Sequence, residues 1–465
     1  MHVGIIDGIV IILYMIGTIL IGLYFKKRIS SADDFIVADR GLGMSVFIAT
    51  MVATSIGGGS LIGYVGEIHD GGLVFLPSEI VFLAIQLGIA LILAEKVRNF
   101  AGYTAIDVLG RNYGKGPQLF GGICSMIYML GTGPAMQSLA LGSIISLFTG
   151  LPVQIGAIIS IVIIILYTYF SGMWGVAMTD YFQFVIMAVG IVILSFMVLN
   201  QCGGWENIAQ ATPAKNFNIS ADITTMIELI FVTAIPALID GNRYQRFYAA
   251  KDVKVAKKGS LIAVIPWTCI SILTFLLGFA AVKLVPDGIA QDMVMPTIIM
   301  EILPIGIKGI VIAALISAIM STADSYLLVG ATNFTMDIYK PFINPNATDK
   351  QILKVTKTMV IVLGLGGLAL ALLVPSIMGV WTIVSSVYVG GCFVPMIYAL
   401  FFKGRKSNLA AMVTMIVGSI ASIIMKVANL NILGLPPVLV CVIASIVIFI
   451  PLTLLDKNSR RDISC

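Results

Sequence analysis

Thirteen runs of mostly apolar residues, each near membrane-spanning length, follow one another along this 465-residue chain. A bilayer core of about 30 Å is spanned by an α-helix of about 20 residues. Only 11% of the residues are charged, against about 25% in soluble proteins. The pattern predicts an all-α polytopic membrane protein with about thirteen transmembrane helices. The runs are residues 3–25, 44–68, 73–93, 119–148, 152–170, 174–198, 223–238, 261–282, 309–334, 355–374, 380–402, 409–425 and 432–455.

The basic residues test this count, because Lys and Arg concentrate on the cytoplasmic side of a membrane. With thirteen helices, 24 of the 28 basic residues fall in alternate connections and the last segment. The first connection contains Lys27 and Arg28, and the last segment contains Lys457, Arg460 and Arg461. We expect a protein of the cell membrane with its N-terminus outside and its C-terminus in the cytoplasm. The net charge of +5 is then a topology signal, and we expect the lipid bilayer but no nucleic acid as a partner.

Two of the predicted helices contain residues that weaken or break a helix. Gly57, Gly58 and Gly59 lie in the middle of the second run, and Pro236 is followed by Asp240-Gly241-Asn242 in the seventh. Broken helices at matching places in two halves are typical of secondary transporters with inverted repeats. Each half has five helices, and an odd number inverts the second half in the membrane. The predicted units are residues 1–42 (extra N-terminal helix and cytoplasmic loop), 43–199 (first repeat), 200–222 (extracellular loop), 223–402 (second repeat) and 403–465 (two C-terminal helices and a short cytoplasmic tail).

A cluster of oxygen-bearing side chains interrupts the ninth run. Ser321, Thr322, Asp324 and Ser325 lie within five residues, which is little more than one helical turn. A carboxylate at membrane depth is costly and needs a partner, and hydroxyl and carboxylate oxygens suit a hard cation. Asp180 is a second intramembrane acid, two turns from the predicted cytoplasmic end of the sixth helix. The alternative is that these acids are protonated or hydrogen-bonded to hydroxyl groups.

Three segments resemble motifs of the sodium:solute symporter family. Residues 171–183 resemble GGMWAVxxTDxxQ, residues 245–261 resemble QRxxAAKS followed by A and GS, and residues 318–339 resemble the eighth core helix. The resemblance covers essentially the whole chain. It implies a LeuT-type five-plus-five inverted repeat with an extra N-terminal helix, and solute uptake coupled to the inward Na⁺ gradient.

The resemblance also implies ion sites. The shared sodium site would use backbone carbonyls of the broken second helix and oxygens of the ninth. A further site in some members would use Asp180, Ser321 and Ser325, and Asp324 stands where those members have Ser. The shared site is therefore predicted at Ala53, Ile56, Ala318, Ser321 and Thr322, and a second cation site at Asp180, Asp324 and Ser325.

The solute site in the family lies beside the glycine break. Matching positions are Ser55, Gly57, Ser60, Glu79, Thr233, Asp240 and Tyr388, and Gln137 is a polar residue deep in the fourth helix that could line the same cavity. Glu79 suits a cation or an amine. An aromatic cage for a quaternary ammonium group is not evident in the second helix, and Trp267 and Trp381, near helix ends, suit interfacial anchoring.

The resulting prediction is a Na⁺-coupled symporter for a small organic solute. Proton coupling is the nearest alternative, because Asp180 and Asp324 could titrate, and a membrane sensor without transport is another. We expect no enzyme, because the chain has only two histidines and neither an HExxH motif nor a Cys/His cluster. The identity of the solute, the Na⁺ stoichiometry and the oligomeric state remain open at this point.

Overall fold

The computed structural model describes residues 4–26, 29–286, 288–428, 430, 432 and 434–456. Lys27, Arg28, Lys457, Arg460 and Arg461, on which the charge pattern partly depends, lie outside these ranges. Twenty α-helices, several of them joined by short 3₁₀ or π-helical turns, make up the described chain. In order they are α1 (Ile5–Lys26), α2 (Ala32–Val37), α3 (Met44–Ala53), α4 (Tyr64–Gly71), α5 (Leu76–Gly88), α6 (Ala94–Phe100), α7 (Asp107–Tyr113), α8 (Lys115–Leu130), α9 (Met136–Thr149), α10 (Val153–Cys202), α11 (Trp205–Ala211), α12 (Ile223–Leu229), α13 (Gly241–Ala249), α14 (Val253–Leu284), α15 (Gln291–Ile302), α16 (Ile307–Asn333), α17 (Asp349–Leu373), α18 (Ile377–Phe401), α19 (Asn408–Val427) and α20 (Pro437–Leu455).

Among the described residues, twelve helical stretches are long and apolar enough to cross a membrane. The difference from the predicted thirteen arises at the second and third runs. There α3 is too short to count alone, and residues 59–100 form one nearly continuous helical stretch. Gly72, with φ of +59°, ends α4 inside that stretch, a conformation that glycine adopts without steric cost. Gly172, with φ of +53°, divides the 50-residue α10 in the same way into two spans.

Both helices that were predicted to be broken are broken. Helix α3 ends at Ala53, and helical structure resumes at Gly59 in a π-helical turn that leads into α4. The second break follows a 3₁₀ turn, Ile235–Leu238. There the side chain of Asp240 caps α13 by accepting a hydrogen bond of 3.0 Å from the backbone N–H of Asn242. Each break leaves backbone groups outside the regular helical hydrogen-bond pattern, where they are free to bind other partners.

Helix α16 lies at the centre of the bundle. All of its residues except Ile307 and Ile310 are buried, and it packs most extensively against α10 and also against α1, α8 and α17. Asp7 of α1 is buried at the start of α16, where its Oδ1 accepts hydrogen bonds of 2.7 Å from the N–H groups of Gly306 and Gly309. This carboxylate satisfies amides that the first turn of a helix leaves unpaired, and it fixes α1 against the central helix.

Candidate functional site

The glycine run allows three helices to approach the broken segment closely. A Cβ atom on Gly57 would lie 2.5 Å from Oγ1 of Thr322 on α16. On Gly59 it would lie 2.7 Å from Cε of Met136 on α9 and 2.8 Å from a ring carbon of Trp381 on α18. Real Cβ atoms do not make such contacts, so these positions require glycine for packing.

The break frees two backbone carbonyls of α3. In a continuous helix the N–H groups of Gly57 and Gly58 would bond to the carbonyls of Ala53 and Thr54. Here Gly57 N–H donates to Oγ of Ser60 at 2.9 Å, and Gly58 N–H donates to Oε1 of Gln137 at 2.8 Å. Both carbonyls have therefore lost the donors they would have in a continuous helix, although that of Ala53 still accepts a hydrogen bond of 3.3 Å from the N–H of Ile56. Both can bind groups of α16.

Two hydroxyl groups of α16 face these carbonyls. Oγ of Ser321 lies 3.0 Å from the carbonyl oxygens of both Ala53 and Ala318. Oγ1 of Thr322 lies 3.1 Å from those of both Thr54 and Ala318. Four of the five residues predicted for the shared sodium site thus meet in one place. The second carbonyl from the broken segment belongs to Thr54, whereas the prediction named Ile56.

This set of oxygens fits a hard cation. Three carbonyl oxygens face only two hydroxyl protons, so the site retains acceptor capacity and negative potential. Oxygens about 2.4 Å from a common ion and at right angles to one another are about 3.4 Å apart, close to the spacing seen here. Within the described chain, no cluster of three or more His, Cys, Asp or Glu residues could hold a metal ion. A neutral oxygen set of this kind suits a monovalent ion that must be released again.

Arg246 of α13 fills the space between the residues predicted for the second cation site. Its Nη2 lies 2.6 Å from Oγ of Ser325, 3.5 Å from Oδ2 of Asp180 and 2.6 Å from Oγ1 of Thr54. Its Nε donates to Thr50 at 3.1 Å. The guanidinium is fully buried and connects α13 with α3, α10 and α16. Asp180 and Ser325 are therefore brought together as predicted, but around a protein cation.

Asp324 is the unbalanced charge of this cluster. It is fully buried, and neither carboxylate oxygen has a hydrogen-bond partner of good geometry among the described residues. Its charged neighbours are Asp180 and Arg246. With both carboxylates ionised, the cluster of two acids and one guanidinium would carry a net charge of −1, which one further monovalent cation or one proton would neutralise.

A small cavity lies on the other side of the broken segment. Glu79 of α5 is 5% exposed, and its Oε2 accepts a hydrogen bond of 2.8 Å from Oγ of Ser271 on α14. The free volume is about 10 Å³, close to that of one water. The lining residues are Ile56, Ser60, Tyr64, Glu79, Trp267, Ile270, Ser271, Thr274 and Phe275.

Of the eight predicted solute residues, only Ser60 and Glu79 line this cavity. Thr233 bonds to the carbonyl of Leu229 at 2.7 Å and also interacts with Tyr64. Ser55 donates to the carbonyl of Met51 at 2.9 Å, and Gly57 and Gln137 belong to the break itself.

Asp240 and Tyr388 belong to a neighbouring polar cluster. Asp240 accepts from the Tyr326 hydroxyl at 2.9 Å and lies 3.7 Å from Nε of Arg243. Tyr388 donates to the carbonyl of Ile239 at 2.8 Å. Both side chains therefore bind groups at the second break and do not reach the cavity around Glu79.

Comparison with known proteins agrees with the family motifs. The pattern of the sodium:solute symporter family matches residues 35–418, which is most of the chain. The chain belongs to this family. It is therefore a Na⁺-coupled transporter of a small solute in a multi-pass membrane fold, and not an enzyme.

Three relatives show the range of solutes handled by similar symporters. The human high affinity choline transporter 1 is 26% identical over 433 residues, 86% of this chain and 74% of the relative. The osmoregulated proline transporter OpuE of Bacillus subtilis is 27% identical over 434 residues, 88% and 86% of the two chains. The sodium/sialic acid symporter NanT of Aliivibrio fischeri is 25% identical over 452 residues, 90% and 87% of the two chains.

Solved structures agree on the fold of this symporter. A substrate-bound Na⁺-coupled sialic acid symporter in an outward-open state superposes with a TM-score of 0.84 at 21% identity, covering 99% of this chain and 100% of that one. The nucleobase-cation-symport-1 transporter Mhp1 with a bound hydantoin gives 0.56 at 16% identity, covering 90% and 92%. These similarities confirm the LeuT-type architecture.

Several residues of the symporter were missed from the sequence. Thr54 and Thr50 carried no signal beyond their position beside the glycine run. Arg246 lies inside a family-like segment, but nothing in the sequence connects it to Asp180, 66 residues away. Trp267 is 6% exposed and packs against Phe82 with ring centroids 4.6 Å apart, so its side chain is buried in the protein and does not serve as the lipid anchor that was suggested for it.

Proposed function

We propose that the coupling Na⁺ binds between α3 and α16. Its ligands are the carbonyl oxygens of Ala53, Thr54 and Ala318 and the hydroxyl oxygens of Ser321 and Thr322. The observation that carries this proposal is that two α16 hydroxyls face the carbonyls of Ala53 and Thr54, which have lost their regular helical donors at the break. Ile56, which the family match also names, has its side chain in the cavity beside Glu79.

The proposed solute position is the cavity on the opposite side of the same break. Ser60 and Glu79 are the predicted solute residues that line it, and Ile56 of the unwound segment lines it too. Ser55, Gln137, Thr233 and Tyr388 already have hydrogen-bond partners within the protein, so they support the walls of the site. Because Na⁺ and solute would bind to two faces of one unwound segment, each would stabilise the conformation that the other requires.

The two repeats, residues 43–199 and 223–402, are proposed to supply alternating access. Each contains one of the two broken helices, and binding sites of such transporters lie at the interface of the repeats. We place the N-terminus outside and the C-terminus in the cytoplasm, on the charge distribution. Residues 1–42 and 403–465 then flank the two repeats, and residues 200–222 form an extracellular connection.

The second cation site is proposed to be shared with Arg246. Asp180 and Ser325 bind the guanidinium, so a cation at these residues would have to displace it. Among the described residues, the two carboxylate oxygens of Asp324 have no hydrogen-bond partner of good geometry. A cation held mainly by Asp324 fits these observations, and its binding would weaken the attachment of α13 to the core.

Uptake into proteoliposomes tests the proposal. Candidate solutes are supplied with an inward Na⁺ gradient, with equal Na⁺ on both sides, and with an inward proton gradient in K⁺. Accumulation only with the Na⁺ gradient supports the proposed coupling. Equal uptake with and without the Na⁺ gradient contradicts it, and accumulation with the proton gradient alone supports the proton-coupled alternative. The solute names of the relatives differ in charge and size, so they do not by themselves select the candidate solutes.

A further inference from the structure

We propose that the solute of this symporter is a small organic cation of the alkylammonium class. Its charge would lie between the Glu79 carboxylate and the aromatic rings that surround it. The inference rests on the proposed solute position beside the glycine break, and it names the chemistry that this position can recognise.

Glu79 lacks a positive partner. Its one hydrogen bond comes from the neutral hydroxyl of Ser271. Within the described residues, no Lys, Arg or His nitrogen lies within 4.0 Å of its carboxylate oxygens. A carboxylate buried at membrane depth is costly unless a cation accompanies it, and such residues commonly mark the path of a substrate. The missing partner at this position is one positive charge.

Aromatic rings from distant parts of the chain form the walls. Tyr64 lies 4.2 Å from Phe75 and is stacked on Trp381 at 5.5 Å, measured between ring centroids. Phe275 and Trp267 of α14 face Tyr64 across the cavity. Cations are attracted to the faces of such rings, and most strongly to Trp. The rings that line the cavity therefore come from two helices, Tyr64 from α4 and Trp267 and Phe275 from α14, and Trp381 of α18 supports Tyr64 from behind by stacking on it.

One of the lining rings, that of Trp267, already has a cation of the protein beside it. The guanidinium of Arg243 lies 5.1 Å from the ring centroid of Trp267 and 5.4 Å from that of Phe82. Arg243 is occupied by Asp240 and by Gln86, to which it donates a hydrogen bond, and it does not line the cavity. The site therefore offers one free carboxylate and no free guanidinium, which favours a cation over an anion or a zwitterion.

The size of the cavity limits the solute and requires the walls to move. About 10 Å³ of free space holds one water and not an alkylammonium ion. Tyr64 belongs to the broken helix, whereas Trp267 and Phe275 belong to α14, so a shift of α14 away from α4 would widen the cavity. This is the type of movement by which one bundle rocks against another in alternating access.

The test uses two probes of nearly equal shape. Choline and 3,3-dimethyl-1-butanol differ in that a carbon atom replaces the charged nitrogen. Thermal unfolding of the purified symporter is followed with each probe in NaCl and in KCl at equal ionic strength, with tetramethylammonium and glycine betaine as further probes. We expect choline or tetramethylammonium to raise Tm more in NaCl than in KCl, and to bind at least about tenfold more tightly than the uncharged alcohol.

Two variants locate the effect. Glu79→Gln should weaken binding of the cation by at least about tenfold, because the carboxylate that neutralises it is lost. Glu301→Gln removes the same charge from an exposed position on α15 and should leave the affinity for the cation at the wild-type value. The Na⁺-dependent rise in Tm without solute shows whether each variant still folds around the sodium site. If Glu79→Gln does not fold, the comparison of choline with its uncharged analogue in the wild-type protein still decides.

The outcomes separate the two proposals. Three results would overturn the inference: equal binding of choline and the uncharged alcohol, tighter binding of glycine betaine than of any cation, or no binding of either cation. In each case, a Tm that still depends on Na⁺ would leave the proposed sodium site unaffected. A wild-type Tm that does not respond to Na⁺ would instead contradict the proposed sodium site.

Discussion

Thr322→Ala removes one hydroxyl from the proposed sodium site. The Oγ1 atom is buried and lies 3.1 Å from the carbonyl oxygens of Thr54 and Ala318. An interaction between a polar group and a charge contributes about 1.5–3 kcal/mol, and 1.4 kcal/mol corresponds to a tenfold change in affinity. We therefore expect the dissociation constant for Na⁺ to rise about 10- to 100-fold.

The same change has a smaller effect without Na⁺. In KCl the variant loses only a neutral hydrogen bond, which contributes about 0.5–1.5 kcal/mol. At a Na⁺ concentration 100 times the wild-type dissociation constant, binding stabilises the wild-type protein by about 2.7 kcal/mol and a tenfold weaker variant by about 1.4 kcal/mol. Thermal unfolding in detergent over a NaCl titration, with KCl keeping the ionic strength constant, separates the two effects.

Two controls make the result specific. Thr322→Ser keeps the hydroxyl and should retain most of the Na⁺ affinity. Ser143→Ala removes a buried hydroxyl of α9 whose one hydrogen bond within the described chain is to the carbonyl of Leu139, at 3.1 Å, and it should not change the Na⁺ dependence. An unchanged dissociation constant in Thr322→Ala, or an equal loss in Ser143→Ala, would refute the placement of the site.

Three further changes test the surroundings of the site. Gly57→Ala puts a Cβ 2.5 Å from Oγ1 of Thr322, so it should lower the free energy of unfolding by about 1–3 kcal/mol and weaken Na⁺ binding. The control Gly8→Ala places its Cβ where no atom lies within 4 Å and should change neither stability nor Na⁺ affinity, as measured by thermal unfolding with and without Na⁺. Arg246→Gln leaves the Asp180 carboxylate buried without its cation and should lower the free energy of unfolding by about 3–5 kcal/mol. Adding Asp180→Asn should recover part of this loss, and a double variant no more stable than Arg246→Gln would contradict the pairing. Gln137→Met removes the acceptor of the Gly58 N–H, so the Tm in KCl and the affinity for Na⁺ should both fall. A variant that binds Na⁺ as tightly as the wild-type protein would show that the carbonyls do not depend on Gln137.

Much of the fold could be predicted because its signals are local. Apolar runs and the alternation of basic loops depend on hydropathy and charge along the chain, and the two breaks follow from Gly57–Gly59 and Pro236. The number of membrane-spanning helices differs from the prediction only where a single residue separates two helical segments. Gly72 ends α4 without a polar loop, so hydropathy and helix length assign that region differently.

The sodium site could be predicted in part for the same reason. Ser321 and Thr322 are adjacent on one helix, and their hydroxyl groups reach the same carbonyl, that of Ala318. The choice between Thr54 and Ile56 as the second carbonyl could not be made from the sequence, because it depends on how far the helix unwinds. In the structure, Gln137 accepts from the amide of Gly58, which would otherwise bind the carbonyl of Thr54, and this favours Thr54 as the proposed ligand.

The partners of the buried charges could not be predicted from the sequence, because they lie far away along the chain. Asp180 and Ser325 looked like ligands for a second ion, yet their nearest cation is Arg246, which the sequence places with a surface run of basic residues. Thr54 connects this cluster with the sodium site: its carbonyl faces Thr322, and its hydroxyl lies 2.6 Å from the guanidinium. An unwound residue can serve both sites because its carbonyl no longer bonds within its own helix. The break beside the proposed sodium site therefore also connects that site to the charge pair that holds α13 against the core.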